Sequence, residues 1–223
     1  MKTHLVFIAA IIALVLTSCE TTTRLSQYPK MYDEHPVTLL VMPPINNTTN
    51  VEAKDLLYTS ISKPLAEAGY YVISPLLSYE VLRNESAYDA ELFIDKPLNK
   101  FGEFFGADAV VFSTIETWAK QGLGIRTVLH YTIKSTHTNE VVFDRTCDLY
   151  LDFDNSSSST SGFGALLDLA VAAIKTAISD HIVAARKANN YVFKDIPRGK
   201  YHPDFDQDKS VGANDRNITV TVK

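Results

Sequence analysis

The chain has 223 residues, 46% of them hydrophobic, and a formal net charge of −5. This acidic balance, without any cluster of Lys and Arg, argues against a nucleic-acid partner and against a polybasic lipid-binding patch. The regular apolar segments exclude a disordered chain and indicate one well-packed domain with appendages.

The amino-terminal end has the three parts of a secretory signal peptide. A short basic region with Lys2 precedes an uninterrupted apolar run at residues 5–16, and small residues then precede Cys19. Such a short run cannot cross roughly 30 Å of hydrocarbon as a helix. The ending Leu16-Thr17-Ser18-Cys19 resembles the bacterial lipobox, which implies diacylglyceryl transfer to the Cys19 thiol and cleavage after Ser18. Glu20, by analogy with enterobacterial lipoproteins, favours export to the outer membrane.

Four regions are predicted on this basis. Residues 1–18 form the signal peptide, 19–36 a lipidated tether, 37–190 an α/β domain and 191–223 a polar tail. The tether is expected to lie partly over the domain, through Tyr28, Met31 and Tyr32. Because acylation uses Cys19, Cys147 would be left alone and no internal disulfide could form. The fold must therefore be stabilised by its core.

The first half of the predicted domain alternates strands and helices. An apolar run at residues 37–42 is typical of a buried strand. The elements that follow are a helix, a strand and two further helices, at 52–68, 70–73, 76–84 and 97–105. Pro64 should kink the first helix, while Gly69 and Gly106 should end the first and third helices.

The second half begins with a strand at 109–118, followed by a long antiparallel hairpin. On the first hairpin strand one face carries Ile125, Thr127, Leu129, Tyr131 and Ile133. On the return strand one face carries Val141, Phe143, Cys147, Leu149, Leu151 and Phe153. We predict that the return strand is a sheet edge, protected from non-specific pairing by the charges of Arg145, Asp148, Asp152 and Asp154.

The chain then continues with a Ser-rich connector at 155–162 and a long amphipathic helix at 164–189. The polar tail is predicted to be extended, with a late strand at 218–222. Together these elements describe a single, three-layer-like α/β domain with a mixed sheet, a long antiparallel hairpin and a long C-terminal amphipathic helix.

Four segments of this sequence resemble a family of uncharacterised bacterial lipoproteins that includes a conserved neisserial vaccine-candidate lipoprotein. The segments are residues 28–34, 41–48, 64–72 and 105–110, and the resemblance extends over about residues 24–190. It implies a fold like the amino-terminal domain of TolB and the periplasmic domain of the CsgG curli secretion lipoprotein. It also implies that the gene lies near genes for CsgG-like lipoproteins, and thus a role in envelope transport or assembly. The family carries no established catalytic residues, so the resemblance implies none here.

The candidate ligand or partner loop is formed by Asn46, Asn47, Thr48 and Thr49. It lies between the carboxyl end of the first strand and the amino terminus of a helix. Open α/β sheets bind ligands at that edge, and helix amino termini favour anions. The competing interpretation is that these residues only cap the helix and close the turn.

Other chemistry is weakly indicated, and no catalytic residue, metal site or cofactor is predicted. The serines cluster in the connector and the histidines are scattered, so no nucleophilic triad can be assembled from the sequence. The residues Asp204, Asp206, Asp208 and Asp215 partly match a calcium loop. However, Lys209 replaces the turn glycine and Asp215 replaces the bidentate glutamate, so a solvated acidic tail is the competing interpretation. Cys147 is predicted to be a buried structural residue.

We therefore expect a non-enzymatic lipoprotein of the bacterial cell envelope, anchored in the outer membrane and facing the periplasm. Its expected role is that of an accessory or assembly subunit of a secretion or transport system. The expected partners are membrane lipid through Cys19 and either a second copy or a CsgG-like lipoprotein, paired through the sheet edge or an exposed face. The alternatives are a regulator of peptidoglycan synthesis and a receptor for a small ligand or lipid; a hydrolase has no motif in its favour.

Overall fold

The computed structural model describes residues 22–152 and 181–222, which form one mixed seven-stranded sheet with helices on its two faces. The strands are β1 (Thr38–Val41), β2 (Ile45–Asn46), β3 (Tyr71–Val72), β4 (Ala109–Gln121), β5 (Gly124–Ser135), β6 (Val141–Leu151) and β7 (Asn217–Val222). Their order is β3-β1-β4-β5-β6-β7, and β2 pairs with β4. The central strand β1 is parallel to both of its neighbours, whereas β4, β5 and β6 form an antiparallel meander. The predicted α/β class with a mixed sheet and a long hairpin is confirmed.

The helices are α1 (Arg24–Gln27), α2 (Pro29–Glu34), α3 (Glu52–Ser60), α4 (Ser62–Glu67), α5 (Pro75–Asn84), α6 (Asn99–Phe105) and α7, described over residues 181–193. One apolar cluster joins the sheet to α2, α3, α4 and α7, and a second cluster joins the opposite face to α5 and α6. No helix in the described ranges is long and apolar enough to cross a membrane. The signal peptide, Cys19, the Ser-rich connector, Phe153, Asp154 and the first part of the closing helix lie outside the described residues.

The apolar run at the start of the domain forms a buried interior strand between β3 and β4, as predicted. Leu39 and Val41 belong to the first apolar cluster, while Leu40 and Met42 belong to the second. A strand covered on both faces needs apolar residues at every position, which explains why this segment does not alternate.

The hairpin strand β6 differs from its prediction at two positions. A bulge shifts the pairing register between Ile133 and the next residue, so Val142 is buried and Val141 is 44% exposed. Arg145 has the same parity as Phe143 and Cys147, and its side chain is fully buried rather than placed on a charged edge. The alternation of the strand therefore predicted the buried face correctly. Position 145 was not assigned to that face because its residue is a charged arginine.

The predicted sheet edge at β6 is also wrong. Strand β7 pairs with β6 in parallel, with Cys147 opposite Ile218 and Leu151 opposite Val222. The late strand of the tail was predicted, but its partner was not. Since β7 follows α7, the two parallel strands are joined by a helical crossover, the usual connection between parallel neighbours.

The amino-terminal segment and the tail are packed against the domain. Residues 22–36 of the predicted tether contain α1 and α2, which dock on the domain. Tyr28, Met31 and Tyr32, which were predicted to lie over the domain, are buried. Both segments lie at the edge of the sheet where β1 and β3 begin: α2 ends four residues before Thr38, and the amide of Gly199 donates to the Ala68 carbonyl (2.8 Å) just before β3. We call this the amino edge of the sheet.

Proline and glycine positions explain the broken helix between β1 and β3. The predicted single helix is divided at Ile61 into α3 and α4. Pro64 has no N–H to donate to the carbonyl four residues earlier, and its ring crowds that carbonyl. Gly69 then ends α4 with a positive φ of +94°, and the tail passes directly over it.

Replacing Gly69 with alanine is expected to destabilise the protein strongly. Its φ alone costs a residue with a Cβ about 1–3 kcal/mol, and the added Cβ would lie 2.5 Å from the His202 amide nitrogen. Gly106→Ala is the matched control, because Gly106 also has a positive φ (+65°) but no described atom lies within 4 Å of the added Cβ. Urea unfolding should give a clearly larger loss for Gly69→Ala; equal losses would show that the tail does not pack tightly there.

Candidate functional site

The predicted loop at residues 46–49 is largely occupied by its own hydrogen bonds. The Asn46 amide donates to the Asn50 carbonyl (2.8 Å), and its side-chain oxygen accepts from the Thr48 hydroxyl (2.8 Å). Asn50 in turn accepts from the Ala53 amide and so caps the first turn of α3. Asn47 is exposed and donates to Glu116 on β4 (3.1 Å), and Thr49 is exposed.

The electrostatics of this loop do not favour an anion. Glu52 and Asp55 stand in the first turn of α3, where they already complement the positive end of the helix. In addition, β2 pairs with β4. The loop therefore lies on the side of β1 that faces β4, and not on the side that faces β3. The hydrogen bonds of the loop match the capping interpretation.

The feature that the sheet topology makes available for binding is a crevice between β1 and β3. After β1 the chain crosses to α3 on one face, and after β3 it crosses to α5, which contributes Leu82 to the other face. Such a divergence of adjacent parallel strands leaves an opening at their carboxyl ends. A cavity of about 400 Å³ lies there, lined by Pro43, Pro44, Lys54, Asp55, Tyr58, Thr59, Pro75, Leu76, Tyr79 and Tyr88.

Tyr58 holds the two sides of the crevice together. Its hydroxyl donates to the Pro75 carbonyl at the start of α5 (2.9 Å) and lies 3.3 Å from the Val41 carbonyl at the end of β1. Its ring meets that of Tyr79 edge to face, with centroids 6.2 Å apart. Burial raises the pKa of the Tyr58 hydroxyl to about 12, so it remains a neutral donor at physiological pH.

The crevice has the chemistry of a recognition surface. Its walls are aromatic rings and prolines, and Lys54 and Asp55 supply one charge of each sign. None of the described lining residues is a serine, cysteine or histidine, so these residues contain no pair of nucleophile and imidazole base. The sequence did not indicate the crevice, because its residues come from the segment after β1, from α3, from α5 and from the segment after α5, which only the fold brings together.

Two acidic residues of the segment that partly matches a calcium loop, Asp206 and Asp208, form ion pairs with basic side chains. Asp208 is buried and bonds to the Arg24 guanidinium (2.6 Å), and Asp206 pairs with Lys209 (2.7 Å). Hydrogen bonds from Lys209 and His35 hold the pKa of Asp206 below its ordinary value. Within residues 22–152 and 181–222, no group of three or more His, Cys, Asp or Glu side chains is arranged to hold a metal ion.

Cys147 lies in the core, as predicted, and burial raises the pKa of its thiol from 9.0 to about 12. We expect a thiol reagent to label native protein far more slowly than unfolded protein at pH 8, because the native thiol is both protonated and inaccessible. The folded state holds the thiol proton more tightly than the unfolded state does. This contribution to the free energy of unfolding is fully present below pH 9 and is lost as the pH rises from about 9 to 12. Equal labelling rates for native and unfolded protein would place the thiol at the surface.

The described residues define a single open-sheet α/β domain with a crevice at the carboxyl edge of its parallel strands. The family model "Putative lipoprotein GNA1162-like" matches residues 26–196, and the chain belongs to this lipoprotein family. Membership indicates a lipid-anchored protein associated with the cell envelope.

Three individual proteins illustrate the similarity. "Putative lipoprotein NMB1124/NMB1162" of Neisseria meningitidis serogroup B is 24% identical over 198 residues, covering 86% of this chain and 89% of that protein. The crystal structure of lipoprotein GNA1162 from Neisseria meningitidis is 23% identical, with a TM-score of 0.49 over 65% of this chain and 98% of that one. The PelC dodecamer from Paraburkholderia phytofirmans is 14% identical, with a TM-score of 0.39 over 75% and 90% of the two chains.

Proposed function

We propose that this protein is a non-enzymatic accessory or assembly subunit of an envelope secretion or transport system. It is anchored in the outer membrane through lipid on Cys19, and its domain faces the periplasm. The lipobox at residues 16–19 and the membership of a lipoprotein family support the anchor. The partner-binding role is supported by the crevice and its rim.

The observation that carries the proposal is the exposure of large apolar side chains around the crevice. Leu76 lines the crevice and is 72% exposed. Its neighbour Leu77 in the first turn of α5 is 67% exposed, and Val51, one residue before the crevice-lining helix α3, is 84% exposed. Fully burying one such side chain is worth about 1.5–3 kcal/mol. Apolar residues clustered beside a cleft are typical of a surface that another protein covers.

The partner is proposed to be a second copy of this chain or a CsgG-like lipoprotein of the same envelope system. The competing role, regulation of a peptidoglycan synthase, requires a domain that reaches far from its lipid anchor. Only residues 20 and 21 separate Cys19 from Thr22, whose carbonyl already accepts from the Ala213 amide. So short a connection keeps the domain next to the membrane and therefore disfavours that role.

A photocrosslinking residue at position 76 tests this proposal in intact cells. The full-length chain should crosslink to a second copy or to an envelope lipoprotein identified by mass spectrometry. The matched control is position 123, since Leu123 is 70% exposed in the β4–β5 turn and does not line the crevice. Absence of a position-specific product, or capture of a peptidoglycan synthase alone, would contradict the accessory-subunit proposal.

Self-association is tested separately by sedimentation of the soluble domain, residues 22–223. Among the described strands β7 ends the sheet, and its six residues contain no charged side chain or proline to discourage pairing. We expect a dimer or larger oligomer at tens of micromolar concentration. A monomer at those concentrations would leave only the heteromeric form of the proposal.

A further inference from the structure

The end of the domain nearest to Cys19 is held rigidly in place. The Thr22 carbonyl accepts from the Ala213 amide (2.8 Å), and Thr23 forms a bridge with Gly212. The Arg24 guanidinium bonds to the buried Asp208 carboxylate (2.6 Å). From Thr22 onward the chain is therefore part of the folded domain and does not lengthen the linker between lipid and domain.

The distance between lipid and domain is limited by covalent geometry. Three Cα–Cα steps lead from Cys19 to Thr22, and at about 3.8 Å each they span at most about 11 Å. An acylated cysteine lies at the level of the lipid head groups, because its acyl chains are in the hydrocarbon. The surface around Thr22 must then lie at the membrane.

Two exposed apolar side chains are found on this surface. Leu25 is 42% exposed and Val211 is 46% exposed. They belong to two segments joined by hydrogen bonds, from the Arg24 amide to the Val211 carbonyl (2.8 Å) and from the Leu25 amide to the Lys209 carbonyl (3.1 Å). We call residues 22–25 and 209–213 the anchor-proximal surface.

We infer that the anchor-proximal surface is a membrane-contact surface, with Leu25 and Val211 seated in the head-group region of the bilayer. The inference rests on the lipidation of Cys19 in the proposed function. It uses both the short connection and the apolar character of the surface, since an apolar side chain held at the interface gains by leaving water.

This contact would also orient the domain. The anchor-proximal surface lies at the amino edge of the sheet, and β1 runs from that edge to the crevice at Val41–Pro44. The crevice then faces away from the membrane that holds the protein. A lipoprotein oriented in this way presents its recognition surface to partners in the periplasm while its opposite edge rests on lipid.

An environment-sensitive fluorophore attached to single introduced cysteines tests the contact. The full-length lipidated protein is reconstituted into phosphatidylethanolamine–phosphatidylglycerol vesicles and carries the label at Leu25→Cys, Val211→Cys or, as control, Leu123→Cys. Native Cys147 does not interfere because it is fully buried. Labels at positions 25 and 211 should shift to the blue and be quenched by lipids with a nitroxide in the upper acyl chain, while the label at position 123 should do neither.

The outcomes separate the two proposals. If mass spectrometry shows an acylated Cys19 but the labels at 25 and 211 behave like that at 123, the membrane-contact surface is wrong and the anchor stands. If Cys19 is not acylated, the proposed anchor is wrong. The membrane contact is then wrong as well, because no lipid at Cys19 would hold Thr22 near the bilayer.

Discussion

Replacing Arg145 with methionine is expected to lower the free energy of unfolding by about 3–5 kcal/mol, as when one partner of a buried ion pair is removed. The guanidinium is fully buried and bonds to both carboxylate oxygens of Asp195 and to the Val192 carbonyl (2.7 Å). It also donates to the Tyr28 hydroxyl, whose pKa is raised by burial. Methionine would fill part of the volume but leave a buried carboxylate without its counter-charge.

Two comparisons make this prediction specific. Arg126→Met removes an exposed ion pair with Asp148 on the open face of the hairpin and should leave the unfolding midpoint nearly unchanged. Arg145→Met combined with Asp195→Leu removes both buried charges and should recover much of the lost stability, measured by urea unfolding. An Arg145→Met midpoint equal to that of Arg126→Met would mean that the buried pair does not hold the domain together.

Replacing Cys19 with alanine is expected to abolish attachment to the membrane. Without the thiol no diacylglyceryl group can be transferred, and the precursor should stay unprocessed or be cleaved elsewhere to give soluble protein. Three acyl chains anchor far more firmly than one, which alone binds only marginally. The measurement is incorporation of a palmitate analogue, together with the distribution of the protein between membrane and soluble fractions.

Cys147→Ala is the matched control, because it removes the other cysteine from a buried position on β6. It should be labelled by the palmitate analogue and fractionate with membranes like the unchanged protein, although its core loses one sulfur atom. A Cys19→Ala protein that still incorporates palmitate and remains in the membrane fraction would show that the lipobox interpretation is wrong.

Local patterns predicted most of the strands and helices correctly. The continuous apolar run at β1, the alternation along β5 and the turn at residues 136–140 each depend on neighbours in sequence, so they could be recognised without a structure. Gly69 and Gly106 marked helix ends for the same reason, since both have a positive φ that other residues avoid. The lipobox is likewise a local signal, although Cys19 lies outside the described residues.

What the sequence could not determine is where charged and polar segments lie relative to distant partners. Arg145 was interpreted as a charged residue at the sheet edge because its hydrogen-bond partners are distant in sequence. Asp195 lies 50 residues after it and Tyr28 lies 117 residues before it. Residues 22–36 looked like a tether and the tail beyond residue 191 looked extended, because their polar side chains pair with residues that are distant in sequence, as Arg24 does with Asp208 and Asp195 does with Arg145.

The crevice depends on tertiary structure in the same way. Pro43 and Pro44 end one strand and Pro75 begins a helix after another, and nothing in either segment indicates that they face each other. Periodicity thus determined the class of fold, while the lipobox and the family resemblance indicated a lipoprotein. Pairing between distant segments decided which charges are buried, which strand ends the sheet and where a partner can bind, because those choices depend on long-range contacts rather than on local sequence preference.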